Sequence, residues 1–451
     1  MPGAPCYKVS MGLSAAETAE LAARRARIME EMHGGVMLLA AAPERVRTAD
    51  ILYPYRQDSD FAYVTGFPEA DAVCLLAPDA PERYVLFVRP HDPERAIWVG
   101  ARIGVEGAVQ QYGADAAFSL EELDQVLPRF LEKAPHVYHN VAREDPLAAR
   151  LLAAIRRAQA GRPRSGTGPT AIRDPAEILH ELRLRKEAGE LARLRQAIAI
   201  ACEAHREAMR TARPGMSEFE VEALIDCTFR RRGATGPAYA SIVAGGPNAT
   251  VLHYTQNDRP LAAPELLLID AGAEYAGYCA DVTRTWPIER RYDGAQRELY
   301  DAVLAAQLAA IAAVRPGATL EELHHKALRV LVEALLSLRL LGGSIDEALE
   351  KETYRRFYMH RTSHWLGRDV HDVGVYANDG KPRPLEPRMV FTVEPGLYIP
   401  ADAEDVPEAF RGIGIRIEDD VLVTETGAEV LSAAAPKQVA EVEALRAAAF
   451  A

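Results

Sequence analysis

The chain has 451 residues, 49% apolar and 26% charged, the balance of a soluble globular protein, with 52 Lys and Arg against 65 Asp and Glu for a net charge of −13. That length exceeds what one core usually accommodates, so two domains are expected, and the acidity argues against nucleic acid or an anionic membrane as the main partner. Five scattered cysteines (Cys6, Cys74, Cys202, Cys227 and Cys279) form no C-x-x-C pair, which fits a reducing cytoplasm better than a disulfide framework or a zinc ribbon. No uncharged apolar run reaches the ~18 residues that would cross a bilayer.

In chain order, "SAAETAELAARRARIMEEM" predicts an amphipathic helix capped by Ser14, with Glu17 completing a capping box. "GGVMLLAAA", "AVCLLAP" and "RYVLFVRP" read as buried strands bounded by Gly and Pro. "SLEELDQVLPRFLEKA" predicts a helix that starts at Ser119 with Glu122 at its third position. Strands alternating with helices make this an α/β domain, expected over 1–172. "AGRPRSGTGPT" (Ala160 to Thr170) is the expected linker.

The second domain, expected over 173–451, opens with Asp174 as N-cap, Pro175 at the first helical position and Glu177 behind it. A helical region to about Arg210 follows. "RPGMSEFE" (Arg213 to Glu220) then recurs as "RPGATLEE" (Arg315 to Glu322). Each copy precedes an apolar strand that ends in a carboxylate, one residue and a Gly: "LLIDAG" with Asp270 and "FTVEPG" with Glu394. Each time a second strand brings another acid, Asp281 in "CADVT" and Glu418 in "IRIEDD". The pattern implies a duplicated α+β unit.

Within "LLLIDAGAEYAGYCADVTRTW", a turn centred between Tyr275 and Ala276 would set Asp270 directly opposite Asp281 on one face. Two anions so close repel unless they share a proton or cations. Glu394 and Glu418 add two more acids, and "FYMHRTSHWLGRDVHDVG" adds His360, His364 and His371. Four carboxylates with one imidazole suit two bridged divalent ions and hydrolytic chemistry. No H-E-x-x-H, P-loop, dinucleotide-type G-x-G-x-x-G or G-x-S-x-G elbow is present.

Those segments, with "SDFAYVTGF", "VLHYTQND", "MVFTVEPGLYIP" and "GIGIRIEDDVLVT", resemble the Xaa-Pro aminopeptidases (aminopeptidase P) of the pita-bread metallopeptidase group. The resemblance spans nearly the whole chain. It implies a creatinase-like α/β N-terminal domain and an α+β pita-bread catalytic domain with pseudo-twofold duplication. It implies Asp270, Asp281, His364, Glu394 and Glu418 as ligands of two divalent ions, manganese in this branch, with cobalt and zinc not separated by sequence chemistry. The implied reaction is attack of a metal-bridged hydroxide on the bond between a peptide's first residue and a following proline. Glu394 would also shuttle the proton, His253 and His371 would position substrate and stabilise the oxyanion, and His360 would serve the proline side. Arg416 shares a strand face with Glu418 and reads as an ion pair orienting a metal carboxylate. Tyr398 would join that network or line the pocket. Trp98 reads as domain core or, by resemblance, as a residue near the substrate. A homodimer or homotetramer is implied. Arg361 and Thr362 depart from a usual Gly and apolar residue, Gly380 and Lys381 stand where some relatives carry an arginine, and Ala62 replaces an aromatic. The competing readings are a prolidase, limited to Xaa-Pro dipeptides, and a metal-free binding protein or creatinase-like hydrolase on the same fold.

Overall fold

The apolar runs predicted as strands in the first third of the chain pair into one sheet in the computed structural model, which describes residues 12–142 and 146–450; Cys6 lies outside them. Strands β1 (Val36–Ala40), β2 (Val73–Leu76), β3 (Tyr84–Val88), β4 (Ala116–Ser119), β5 (His136–Tyr138) and β6 (Ala171–Arg173) stand in the order β4-β3-β2-β1-β5-β6. Met37, Leu39, Cys74 and Leu76 point into one core, shared with residues of α1 (Ala15–Glu31). After β3 comes α2 (Pro93–Val99), none of whose residues is buried. Val36, Leu38, Val73 and Leu75 point into a second core, shared with α3 (Leu123–Leu131) and α4 (Pro146–Ser165). Burial on both faces is why these strands read as unbroken apolar runs. The expected caps form: Glu17 N donates to Ser14 Oγ at 3.3 Å and Ser119 N to Glu122 Oε2 at 2.9 Å.

The segment expected as a linker is not one. Its first half is the end of α4, which stops at Gly166 in the left-handed region (φ 72), the usual helix terminator. Its second half leads into β6, parallel to β5. The Gly and Pro residues that suggested a break mark a helix end inside the first unit. The chain divides into two units after Leu182. Ile178 and Leu179 of α5 (Ala176–Leu184) are buried in the first unit's core, which carries that unit past 172.

The second unit is built twice. Helices α6 (Ala188–Thr211) and α7 (Glu218–Arg231) precede an antiparallel sheet of β7 (Ile242–Gly245), β8 (Leu266–Asp270) and, beyond a hairpin tip formed by β9 (Ala273–Tyr275) and β10 (Tyr278–Cys279), β11 (Thr283–Pro287). Helices α8 (Gly294–Ala312) and α9 (Leu320–Ser337) precede β12 (Val390–Val393), the pair β13 (Gly396–Tyr398) and β14 (Gly414–Arg416), then β15 (Asp419–Val423) and β16 (Ala428–Val430). The two Arg-Pro-Gly turns make the same bonds. Gly215 N donates to Leu261 O and Gly317 N to Leu385 O, both at 2.9 Å. The cap residues Ser217 and Thr319 each bridge a proline, Pro260 and Pro384.

Candidate metal centre

In the first hairpin, Asp270 faces Thr283 and Tyr275 faces Tyr278. The turn is therefore Ala276 and Gly277, both left-handed at φ 49 and 74, as a type I′ turn requires. The expected centre between Tyr275 and Ala276 was one residue early, because Gly277 takes the second turn position. Moving the centre by one shifts the pairing by two. Asp270 and Asp281 are thus staggered rather than opposed, yet stay on one face. The Tyr239 hydroxyl spans them, 2.5 Å from Asp270 Oδ1 and 2.6 Å from Asp281 Oδ1. A hydroxyl carries one proton, so the second carboxylate needs a proton or cation from elsewhere.

In the second hairpin, Val393 faces Asp419, and one further step of the ladder sets Glu394 against Glu418. Thr392 Oγ1 donates to Glu394 Oε1 at 3.1 Å, and Thr283 Oγ1 of the first hairpin donates to Glu418 Oε2 at 2.6 Å. Both acid strands need the glycine two places on. A Cβ on Gly272 would lie 1.7 Å from Ala280 O, and one on Gly396 would lie 2.8 Å from Ile415 O. Only glycine admits so close a return strand.

His364 joins the two hairpins. Its Nδ1 lies 3.0 Å from Trp365 O, which turns Nε2 toward Asp281 Oδ2 at 3.3 Å and Glu394 Oε1 at 3.4 Å. Ligand atoms of Asp281, His364 and Glu418 lie within 4.8 Å of one another. Burial and mutual repulsion raise these acids. Glu394 is pushed to about 7, Glu418 goes well above the usual carboxylate range, and Asp281 moves up despite His364. Burial works against charge on His364, but Asp281 and Glu394 overcome it and hold the imidazole up to about 9. The cluster thus gathers positive charge, and its donors are hard oxygens with one imidazole. The residues fit divalent cations, which would take over the charge that the His364 proton supplies.

The remaining residues named from the sequence separate into three places. His253, His360, His371 and Arg416 line one cavity of about 470 Å³ with the five acid and imidazole groups. Tyr398 stands behind its wall, its hydroxyl 2.8 Å from His360 Nε2 and accepting from Arg416 Nη1 at 3.1 Å. Arg416 Nη2 reaches Asp270 Oδ2 at 2.7 Å, so the ion-pair reading of this arginine matches the geometry. Burial, followed by the Arg416 charge, lowers His360 to about 4 and keeps it neutral. Trp98 lies on α2 and is 86% exposed, so it is not core of its own unit, nor does it line this cavity. Sequence reasoning missed Tyr239, Thr283 and Thr392. The two threonines carried a signal, a hydroxyl amid buried apolar neighbours beside each acid. Tyr239 carried none.

The model of metallopeptidase family M24 matches residues 192–425, and that of the aminopeptidase P N-terminal domain matches 21–138. The chain is 44% identical to the Xaa-Pro aminopeptidase of Escherichia coli (strain K12), over 95% of this chain and 98% of that protein. It is 34% identical to the human Xaa-Pro aminopeptidase 3, over 97% and 87%. The structure of Pseudomonas aeruginosa aminopeptidase PepP superposes with a TM-score of 0.94 at 44% identity, covering 98% of this chain and all of that one.

Proposed function

The chain belongs to metallopeptidase family M24 and hydrolyses the bond between an N-terminal residue and a following proline, and from that premise we propose how its residues divide the work. The observation that carries the proposal is the convergence of Asp270, Asp281, His364, Glu394 and Glu418, from two duplicated halves, on one cavity. These five would hold two divalent ions, manganese first, with cobalt or zinc compatible with the same donors. When bound, such ions acidify a water toward hydroxide near neutral pH and polarise the scissile carbonyl.

The protein's own groups do the rest. Glu394 lines the cavity beside the other acids and takes the attacking water's proton and returns it to the leaving nitrogen. That nitrogen belongs to proline and has no hydrogen of its own, so the delivered proton is what frees it. His253 and His371 donate to the oxyanion and orient the peptide. His360 is fixed by Arg361 O at 2.7 Å and the Tyr398 hydroxyl and lines the proline side. Arg416 and Tyr239 act through Asp270, holding it in register. Asp270 faces the peptide's free amine, which explains removal of one residue at a time. We place the enzyme in the cytoplasm as a homodimer or homotetramer. No helix among the described residues is long and apolar enough to cross a membrane.

The test is a panel of Xaa-Pro, Xaa-Pro-Yaa and Xaa-Ala-Yaa peptides with and without manganese. Manganese-dependent cleavage of Xaa-Pro-Yaa, with Xaa-Ala-Yaa spared, is expected. Cleavage of the dipeptide alone would make the enzyme a prolidase instead.

A further inference from the structure

Arg361 is an exposed guanidinium at the junction of three cavities. It lines the metal cavity, a neighbour of about 240 Å³ bounded by His324, His325 and Glu352, and another of about 560 Å³ bounded by Trp365, Tyr376 and Gly380. Its backbone is fixed on both sides. His360 Nδ1 bonds Arg361 O at 2.7 Å, and Glu394 N donates to Thr362 O at 2.8 Å. The buried Thr362 hydroxyl is pinned by Tyr358 at 2.6 Å and His324 Nδ1 at 2.8 Å. The arginine is thus held in fixed register with the acid that we propose as proton shuttle. Among the described residues its guanidinium has no ion pair or hydrogen bond. Glu321, an anion lining both neighbouring cavities, makes no pair with it.

Charge decides what it binds. A peptide is a dipole with an ammonium at one end and a carboxylate at the other. In the proposed reading the ammonium end lies at Asp270, so the carboxylate end needs a cation on the opposite side. The other guanidinium of the metal cavity, Arg416, is spent on Asp270, Tyr398 and Thr283. We propose that Arg361 is a specificity residue that binds a carboxylate of the substrate beyond the proline, the C-terminal carboxylate of a short peptide or an acidic side chain at the same distance. This rests on the reading of the cavity as an Xaa-Pro aminopeptidase site. An arginine offers a carboxylate two parallel N–H donors, so such substrates bind more tightly.

The test compares kcat/KM for Ala-Pro-Ala as free acid and as C-terminal amide, with Ala-Pro-Glu amide as third substrate, in the native enzyme and in Arg361→Ala and Arg361→Lys. The native enzyme is expected to favour the free acid by roughly three- to tenfold, through KM. Arg361→Ala brings the ratio to about one, and Arg361→Lys keeps part of it. If glutamate restores the amide, a side chain can supply the carboxylate; if not, the chain terminus does. The ratio is internal to each variant and does not depend on its active fraction. A native ratio of one, or a ratio that survives Arg361→Ala, overturns the assignment. Failure of the native enzyme on every Xaa-Pro-Yaa peptide instead overturns the function on which it rests.

Discussion

The two halves of the second unit bring two acids each to one place by different means. In the first half, short aspartates stand staggered across a hairpin and share the Tyr239 hydroxyl. Arg416 adds a cation to Asp270. In the second half, longer glutamates stand one step past the ladder, opposite each other, with a threonine on each. No guanidinium contacts either glutamate side chain among the described residues. Glu418 is accordingly pushed well above the usual range by burial and by Asp281 and Glu394. A duplicated scaffold therefore does not imply duplicated electrostatics: Arg416, a residue of the second half, lends its charge to Asp270 of the first, while neither glutamate of the second half takes a guanidinium.

The sharpest break in that comparison is one acid from each half. Glu394→Gln removes the proposed proton shuttle together with one metal donor and is expected to lower kcat by about 10²–10⁴-fold, while Asp281→Asn loses metal before it loses fold. Metal stoichiometry is read beside kcat in both, and full metal with full rate in Asp281→Asn would mean the site is wrong. Next is the seam between halves. Asp419 of β15 pairs with Arg284 of β11 at 2.6 Å, and Gln307, Ser432 and Lys437 close around it. Asp419→Asn strands buried cations and should cost about 3–5 kcal/mol, read from the urea midpoint. Chelation comes third. Acids with raised values bind protons more readily folded than unfolded, so they cost stability as pH rises through the ordinary carboxylate range and beyond. Chelated protein should therefore weaken from pH 5 to 8, and manganese at a hundredfold excess over Kd should return about 2.7 kcal/mol for each ion bound. Equal melting curves with and without chelator at pH 8 would contradict this. The smallest effects are expected from the hydroxyls: Tyr239→Phe should cost about 10–100-fold in metal affinity, and Thr392→Val less, because the Tyr239 hydroxyl serves two acids and that of Thr392 one.

Much of this was legible in the sequence where local chemistry and period agree. The acids, the glycines behind them and the helix caps all mark themselves by residue type at fixed spacing. Register was less legible. Ala276 occupies a left-handed turn position that its side chain disfavours, so the turn's centre could not be read from composition. The Gly- and Pro-rich stretch after Ala160 has the makeup of a linker but ends a helix, since composition does not distinguish one chain break from another. Tyr239 was invisible because the contact that gives it a role joins residues distant in sequence. Trp98 shows the same limit: an apolar residue is expected inside, but no residue of its helix is buried.

The Arg284–Asp419 pair also bears on history. Arg284 has no side-chain acid partner other than Asp419 among the described residues, and its other bonds go to the backbone carbonyls of Thr283, Glu418 and Ala435. An ancestral half able to pair with a copy of itself would have needed a symmetric contact. The present seam is one-directional, a cation from one copy and an anion from the other. The first half therefore finds the counter-charge of its buried Arg284 only in the second.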